Sequence, residues 1–234
     1  MVGTTPGGSI EMSQQPYTVA RSSDSVLVTN KLIRNTYTLL SMTLLFSAFT
    51  AGIAMTVNMP PINPLLFLIG YFGLFFVTTR LRNSAWGLLS IFALTGFMGL
   101  TLGPILNFYI HSFSNGSELV MTALGGTGVI FLGLSGYALT TRKDFSFMGG
   151  FLMVGILVAF LAGIATLFFS MPALSLAVSA MFILLMSGYI LWETSNIIHG
   201  GETNYIMATV SLYIAIYNLF TSLLHLLGAF SGNR

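Results

Sequence analysis

An all-α membrane protein that crosses the bilayer seven times is the fold that this sequence predicts, and three observations predict it. Only 6% of the 234 residues are charged and 55% are hydrophobic, whereas about a quarter of the residues in a soluble domain are charged. Apolar runs of roughly 20 residues, enough to cross about 30 Å of hydrocarbon as a helix, recur along the chain. The segments between them are short and rich in turn-forming residues, which leaves no room for a second domain there.

The predicted spans follow one another with little between them. They cover residues 36–57, 62–79, 85–109, 119–139, 147–169, 173–192 and 205–228. Separators such as "NMPPINP", "HSFSNGSE" and "SMP" contain the Pro, Gly, Asn and Ser that favour turns. The sequence therefore predicts one transmembrane bundle, residues 31–234.

The first 30 residues differ in composition from the rest of the chain. They are rich in Gly, Ser, Thr, Gln and Pro, and they lack the basic and apolar regions of a cleavable signal. This composition predicts a flexible cytoplasmic tail over residues 1–30, with too few apolar residues to pack on the bundle. A plain solvated tail and a handle for another protein are both compatible with it.

Positive charges precede the first predicted span and follow the second and the fourth, and this pattern predicts the orientation. These cations are Lys31, Arg34, Arg80, Arg82, Arg142 and Lys143. Because cytoplasmic loops carry the excess of Lys and Arg, the N-terminus is predicted to be cytoplasmic and the C-terminus periplasmic. The same cations account for the pI near 9.0, so no nucleic-acid surface is predicted.

Composition and topology exclude several kinds of chemistry. The chain has no cysteine, which excludes disulfides, thiolate zinc sites and cysteine nucleophiles. Lys31 and Lys143 lie in predicted cytoplasmic segments, so neither can form an intramembrane Schiff base with retinal. Ser135 and His225 are predicted to lie roughly 20 Å apart along the membrane normal, too far for a serine and its base. We therefore predict a protein that is not an enzyme and has no cofactor.

Glycines recur within the third, fourth and fifth spans. They include Gly96, Gly99 and Gly103, the segment "GGTGVIFLGLSG" at residues 125–136 and the segment "GGFLMVG" at residues 149–155. Small residues let membrane helices approach closely, so the glycines predict helix packing. No segment ends in the Gly-Lys-Ser/Thr of a phosphate-binding loop.

The seventh span carries a stripe of small and polar residues. Steps of three and four residues connect Asn204, Ala208, Ser211, Ala215, Asn218, Ser222 and His225. Because polar groups are costly against lipid, this stripe should face other helices or a water-filled cavity. Interhelical hydrogen bonding and the lining of a cavity both remain open as its role.

The sixth span ends in a polar cluster that includes an acid. Tyr189, Glu193 and Asn196 share one face of the predicted helix. Glu193 lies near the C-terminal end, where the helix dipole disfavours an anion, so another group must compensate it; Arg80 and Arg82 are predicted at the same membrane level. An acid on an inward face at the membrane boundary is a functional candidate.

The turn after the sixth span is predicted from "IHGGETNY". The helix is expected to continue to His199, with Gly200 as the residue that ends it. His199 and Glu202 fit a solvated turn, because two potential ligands without a third are a weak metal site. No metal site is predicted.

Three long segments resemble a known family. They are "LTGFMGLTLGPILNFY" at residues 94–109, "YALTTRKDFSFMGGFLM" at residues 137–153 and "ETSNIIHGGETNYIMATVSLYIAIYNLFTSLLHLLG" at residues 193–228. They are similar, in the same order, to segments of the Bax inhibitor-1 family, in particular its bacterial YccA branch. This resemblance implies a bundle of six helices around a central seventh, in the bacterial inner membrane.

The resemblance also bears on ion conduction. Family members that act as calcium-leak channels carry one acid at the end of the sixth span and another in the seventh. Glu193 matches the first position, whereas Ala215 stands at the second. A lone carboxylate has no acidic partner with which to share a proton. A pH-sensitive calcium leak channel or small-solute conduit is therefore the alternative function and not the preferred one.

Members of the YccA branch bind the membrane-anchored, ATP-dependent zinc protease FtsH as slow substrates and modulators. The resemblance thus implies that this chain modulates FtsH in the quality control of membrane proteins. Its expected partners are the lipid bilayer, FtsH and, as further candidates, the membrane regulators associated with FtsH. The candidate functional residues are Tyr189, Glu193, Asn196, Ser211, Ala215, Asn218 and Ser222.

Overall fold

The structure, a computed structural model, describes residue 3 and residues 15–169 and 171–232; for residues 15–26 and 167 it describes the backbone alone. This part of the chain contains seven α-helices, one short 3-10 helix and no strand. The helices are α1 (Gln15–Thr56), α2 (Pro64–Leu81), α3 (Trp86–Ser112), α4 (Gly116–Thr141), α5 (Gly149–Phe168), α6 (Pro172–Ile198) and α7 (Tyr205–Ser231). The 3-10 helix, Ser146–Met148, leads into α5.

All seven helices are long and apolar enough to cross a membrane, which confirms the predicted number of spans. Helix α6 continues past residue 192, the end of the predicted span, to Ile198, close to the expected helix end at His199. Gly200 follows with φ +79°, a left-handed conformation that glycine adopts without steric cost and that commonly ends a helix. The extension keeps Glu193 inside the helix, as the sequence predicted.

The first helix begins well before the predicted first span. The part of α1 that qualifies as a membrane span is Leu27–Thr56, but the backbone is helical from Gln15. Residues 15–30 of the predicted tail are therefore described as helix. The rest of the tail prediction, residues 1–14 apart from residue 3, lies outside the described residues.

Local signals explain where several helices begin and end. Asn63 accepts a hydrogen bond from the backbone N–H of Leu65 at 2.9 Å, and Pro64 occupies the first position of α2. Pro172 does the same for α6. Proline suits this position because the first N–H groups of a helix have no partner within the helix.

The glycines of α3 allow α1 to approach closely. A Cβ added at Gly99 would collide with Ser47 and Thr50 of α1, and one added at Gly103 would collide with Ala54. Close backbone approach increases the dispersion contacts that hold membrane helices together. The predicted packing role of the α3 glycines is confirmed.

The same prediction is wrong for most glycines of α4. A Cβ added at Gly125, Gly128, Gly133 or Gly136 would meet no atom within 4 Å. These glycines leave space beside α4, because the faces that carry them have no neighbouring helix against them. Glycine spacing indicates where a close approach is sterically allowed, but it does not identify which face of a helix has a partner.

The central helix of the bundle is α7. Every residue from Tyr205 to Gly228 is buried or half-buried, and α7 packs against α1, α3, α4 and α6. The other two helices lie further out, since α2 packs mainly on α3, and α5 packs mainly on α6. Phe72 of α2 and Phe160 of α5 meet edge to face, with ring centroids 6.2 Å apart. The central helix implied by the family resemblance is therefore present.

Three connections meet at one end of the bundle. The Asn204 side chain, which follows the α6–α7 turn, donates hydrogen bonds to the carbonyl of Arg82 at 3.0 Å and to Asn83 Oδ1 at 2.8 Å. The Ser195 hydroxyl donates to the carbonyl of Lys143, in the α4–α5 loop, at 3.1 Å. We call this the basic end, because it carries Arg80, Arg82, Arg142 and Lys143. The opposite end is called the far end.

Candidate functional site

Glu193 is a carboxyl group held inside the bundle. It lies about one and a half turns before α6 ends at Ile198, and its side chain is 2% exposed. Among the side chains that the structure describes, it is the one Asp, Glu, Lys or Arg that is buried. A buried carboxyl group is costly unless dipoles or hydrogen bonds replace its contact with water.

Polar side chains from three helices form a cluster that includes this carboxyl group. The Asn196 side chain lies within hydrogen-bonding reach of it. Tyr189, one turn earlier in α6, lies near Glu193, beside Ser211 of α7 and near Tyr71 of α2. We call Tyr71, Tyr189, Glu193, Asn196 and Ser211 the Glu193 cluster. Its amide and phenol groups can donate hydrogen bonds to a carboxylate.

The pairing of Glu193 with Arg80 or Arg82, which the sequence left open, is not found among the described side chains. The charged side chain that acts on Glu193 is another acid, Glu202, and neither Arg80 nor Arg82 contributes. Arg80 lies in the last turn of α2 and Arg82 directly follows that helix, and both side chains are exposed, whereas Glu193 is buried. The neutral group that acts on Glu193 is the Asn196 amide.

A hydroxyl network adjoins the Glu193 cluster. The Thr194 hydroxyl lies 3.1 Å from the phenol of Tyr37 in α1 and 3.4 Å from the hydroxyl of Ser135 in α4. The Tyr37 phenol also lies near Glu193. This network joins α1, α4 and α6 at the depth of the carboxyl group, so the site rests on the packing of five helices.

Ser195, the residue after Thr194, holds the α4–α5 loop and His199 in place. Its hydroxyl accepts a hydrogen bond from the backbone N–H of Phe145 at 3.0 Å, and His199 Nδ1 lies 2.8 Å from the Ser195 carbonyl. In the same loop, the backbone N–H of Ser146 donates to the Asp144 carboxylate at 2.8 Å. This hydrogen bond holds the pKa of Asp144 below its usual value. The "ETS" motif thus combines a buried acid with two residues that hold neighbouring segments in place.

Glu202 has a structural role in the α6–α7 turn. Its carboxylate accepts hydrogen bonds from the backbone N–H groups of Thr203 at 2.8 Å and Asn204 at 2.7 Å. The Asn204 side chain in turn accepts from the N–H groups of Ile206 and Met207, which caps the first turn of α7. The described residues contain no group of three His, Cys, Asp or Glu side chains that could hold a metal ion.

The polar stripe of α7 is not continuous in the structure. Ser211 belongs to the Glu193 cluster, but Ala215, fully buried, packs in an apolar cluster with Leu185, Ile190 and Leu219. The Asn218 side chain donates to the carbonyl of Ile214 in its own helix at 2.8 Å. An apolar layer at Ala215 therefore separates the Glu193 cluster from the polar groups nearer the far end.

The far end of the stripe contains a different pair. His225 Nδ1 lies 2.8 Å from the Ser179 hydroxyl of α6, and Ser222, one turn before, is 8% exposed. Ser135, in contrast, lies beside Thr194 near the basic end. The predicted separation of Ser135 from His225 agrees with this arrangement. Of the seven candidate residues, the structure brings Tyr189, Glu193, Asn196 and Ser211 together and leaves Ala215, Asn218 and Ser222 further along α7.

Tyr37, Tyr71, Ser135 and Thr194 are residues of this site that the sequence did not indicate. Thr194 directly follows Glu193, and this adjacency was the one local signal for it. The other three lie on α1, α2 and α4, far away in the chain. Tyr37 and Ser135 reach the site because α1 and α4 pack on α6 and α7, whereas Tyr71 comes from α2, which packs on α3.

Comparison with known proteins gives a consistent set of similarities. The model of the family described as "Inhibitor of apoptosis-promoting Bax1" matches residues 29–232. The "Modulator of FtsH protease YccA" of Escherichia coli K12 is 53% identical over 204 residues, 87% of this chain and 92% of that protein. An uncharacterized protein of Pseudomonas aeruginosa is 50% identical over 222 residues, 95% of this chain and 100% of that protein. An uncharacterized membrane protein of Vibrio cholerae is 45% identical over 223 residues, 95% of this chain and 100% of that protein.

Proposed function

Because this chain belongs to the family of inhibitors of apoptosis-promoting Bax1, also called Bax inhibitor-1, we propose that it is an inner-membrane protein that binds and modulates the FtsH protease. The observation that carries this proposal is the Escherichia coli relative named as a modulator of that protease. Half of the residues are shared, and the similarity covers nearly the whole bundle. The relatives named above are designated as a modulator or as uncharacterized proteins, which supports a function other than catalysis.

The proposed location is the bacterial inner membrane, with the basic end on the cytoplasmic side. The seven apolar helices and the name "Inner membrane protein YccA" of another Escherichia coli relative support the membrane. The cations that the fold gathers at the basic end support the orientation. The N-terminal segment and the α6–α7 turn would then face the compartment that supplies ATP to the protease.

In this proposal the N-terminal 30 residues are the segment that the protease engages. An ATP-driven protease pulls on an accessible segment of its substrate, and this segment is polar and poor in apolar residues. The transmembrane bundle that follows this segment is unfolded slowly, because its helices are held in lipid and by close packing. A slow substrate occupies the protease and so reduces the degradation of other membrane proteins. The membrane regulators associated with FtsH are further candidate partners.

An ion conduit is less well supported by the geometry. The acid at the end of the sixth span is buried in the Glu193 cluster, and the matching position of α7 is Ala215 in an apolar layer. A conduit through the bundle would need polar groups or water across that layer. We therefore keep the conduit as the alternative function and propose the modulator.

Two measurements on the full chain test the proposal. First, the chain with a C-terminal tag is extracted from bacterial membranes in a mild detergent together with an FtsH variant that binds ATP but cannot hydrolyse it. Co-purification of that FtsH is expected, and an unrelated polytopic protein at equal expression is the control. Second, raising the level of this chain should lengthen the half-life of a membrane substrate of FtsH. No co-purification together with an unchanged substrate half-life contradicts the proposed function.

A further inference from the structure

A cavity of about 270 Å³ lies within the bundle, away from the Glu193 cluster. Its walls come from α1, α3, α4 and α7. The lining residues used below are Ser47, Ala48, Leu124, Thr127, Gly128 and Tyr213. They stand near the middle of their helices, so the cavity lies at the depth of the hydrocarbon core and not at either membrane surface.

The cavity opens sideways between α1 and α4. Helix α1 packs on α3, α6 and α7, and α4 packs on α3, α6 and α7, but the two do not pack extensively against each other. Tyr37 and Phe131 bring them together at the basic end, with ring centroids 6.1 Å apart. Beyond that contact, Ala48 and Leu124 line the cavity and are also exposed on the outer surface. These two residues mark the mouth of the cavity.

The hydroxyl groups on the walls are already hydrogen-bonded within the protein. Ser47 and Tyr213 bond to each other at 2.6 Å, and Thr127 donates to the carbonyl of Ala123 at 2.7 Å. The Tyr217 phenol lies 3.1 Å from the Thr101 hydroxyl. A buried water needs two to four polar partners, and cavities with apolar walls stay dry. The walls therefore favour a hydrocarbon occupant over water.

The surroundings of the mouth identify the source of that hydrocarbon. The outward faces beside the mouth carry Leu45 and Val129, each 73% exposed, on helices long and apolar enough to span a membrane. At this depth the medium in contact with them is the acyl chains of the bilayer. We propose that the cavity is a lipid site that takes one acyl chain of a membrane phospholipid, inserted sideways between α1 and α4.

A substitution at Gly128 can fill the cavity and so test the proposed lipid site. A Cβ added at Gly128 meets no atom within 4 Å, so the Gly128→Leu side chain can extend into the cavity and exclude the acyl chain. Gly133→Leu is the matched control, because Gly133 lies in the same helix, also has open space around its Cβ position and is not among the lining residues. The site is independent of the proposed protease modulation, since neither the mouth nor the walls include the N-terminal segment.

The test is photo-crosslinking of the full chain in nanodiscs made with a phospholipid that carries a diazirine in the middle of one acyl chain. After irradiation, modified residues are mapped by mass spectrometry. We expect label at Ala48 and Leu124 to exceed label at the outward Leu45 and Val129. Gly128→Leu should lower the label at Ala48 and Leu124 severalfold, whereas Gly133→Leu should leave it unchanged. Excess unlabelled phospholipid should compete.

A second variant keeps the test decisive if Gly128→Leu does not fold. Ala48→Leu narrows the same mouth from α1, and in this variant the label is read at Leu124. Label at the mouth that does not exceed the label on the outer faces would overturn the proposal. So would equal label at Leu124 in the unmodified chain and in both folded mouth variants. Loss of label on addition of a free fatty acid, but not of unlabelled phospholipid, would overturn the assignment to a phospholipid chain.

Discussion

The hydroxyl groups of Ser47 and Tyr213 lie 2.6 Å apart, which joins α1 to the central helix in the middle of the bundle. The Tyr213 phenol also donates to the carbonyl of Thr95 in α3 at 3.2 Å. Tyr213 is 1% exposed and Ser47 is 5% exposed, so water cannot easily replace either bond. The Tyr213 side chain therefore ties three helices together at the wall of the cavity.

Tyr213→Phe should destabilise the bundle by about 1 kcal/mol, because it removes both bonds and leaves the Ser47 hydroxyl without its partner. The measurement is the free energy of unfolding in mixed detergent micelles, followed by circular dichroism. Tyr217→Phe is the control. It removes a single contact, with Thr101, whose hydroxyl still donates to the carbonyl of Met98. Equal losses in the two variants would contradict the role assigned to Tyr213.

Substitution of glycine by alanine should affect the stability of the bundle differently in α3 and in α4. Gly99→Ala should destabilise the bundle by about 1–3 kcal/mol, since the new methyl group collides with Ser47 and Thr50 of α1. Gly133→Ala should be neutral or slightly stabilising, because its methyl group enters open space and alanine favours the helix. The same unfolding measurement compares them. A Gly133→Ala variant as unstable as Gly99→Ala would mean that α4 has a partner at this face.

The two glycine groups also show what the sequence could predict. Spacing in α3 and α4 was equally suggestive of close packing, but the α3 glycines face a neighbouring helix and most of the α4 glycines do not. The end of α6 was predictable because its signal is local, in Gly200. Tyr37 and Tyr71 were not predictable as neighbours of Tyr189 and Glu193, because they reach the site through contacts between helices that are distant in sequence. Hydropathy identified the spans, and tertiary packing decided which faces meet.

The predicted orientation can be measured with a fusion to the C-terminus. The cations at the basic end are expected to lie in the cytoplasm, and seven spans would then put the C-terminus in the periplasm. Alkaline phosphatase, which is active in the periplasm, should be active when fused after Arg234. A fusion to the α4–α5 loop after Lys143 should be inactive and serves as the control. The reverse pattern of activity would contradict the orientation.

Removal of the N-terminal segment tests its proposed role in degradation. Deletion of residues 2–30 should lengthen the lifetime of the chain in cells that contain FtsH, because the protease loses the segment that it engages. The lifetime is followed by pulse-chase labelling, and the control is the same pair of chains in cells that lack active FtsH. There the two lifetimes should be equal. An unchanged lifetime with FtsH present would exclude this segment from the mechanism while leaving the binding of FtsH open to the co-purification experiment.

The last prediction concerns Glu193 and Ala215 together. Ala215 packs against the apolar side chains of Leu185, Ile190 and Leu219, and Ile190 lies about one turn from Glu193 in α6. Ala215→Asp would place a second carboxyl group in this layer and restore an acidic pair. Liposomes that contain the unmodified chain should show little pH-dependent calcium flux, and Ala215→Asp should increase it, at some cost in stability because the new acid is buried.

Adding Glu193→Gln to Ala215→Asp should abolish the gain in calcium flux, because two acids that share protons titrate as a pair and the pair is lost when one is replaced. Ala215→Asn is the matched control, since it has nearly the size of aspartate without the charge and should add no flux. The readout is a calcium-sensitive dye trapped in the liposomes, at pH values from about 6 to 8, where the flux of Ala215→Asp should vary and that of Ala215→Asn should not. Robust flux through the unmodified chain that is insensitive to Glu193→Gln would contradict the role of Glu193 and would favour the conduit over the protease modulator.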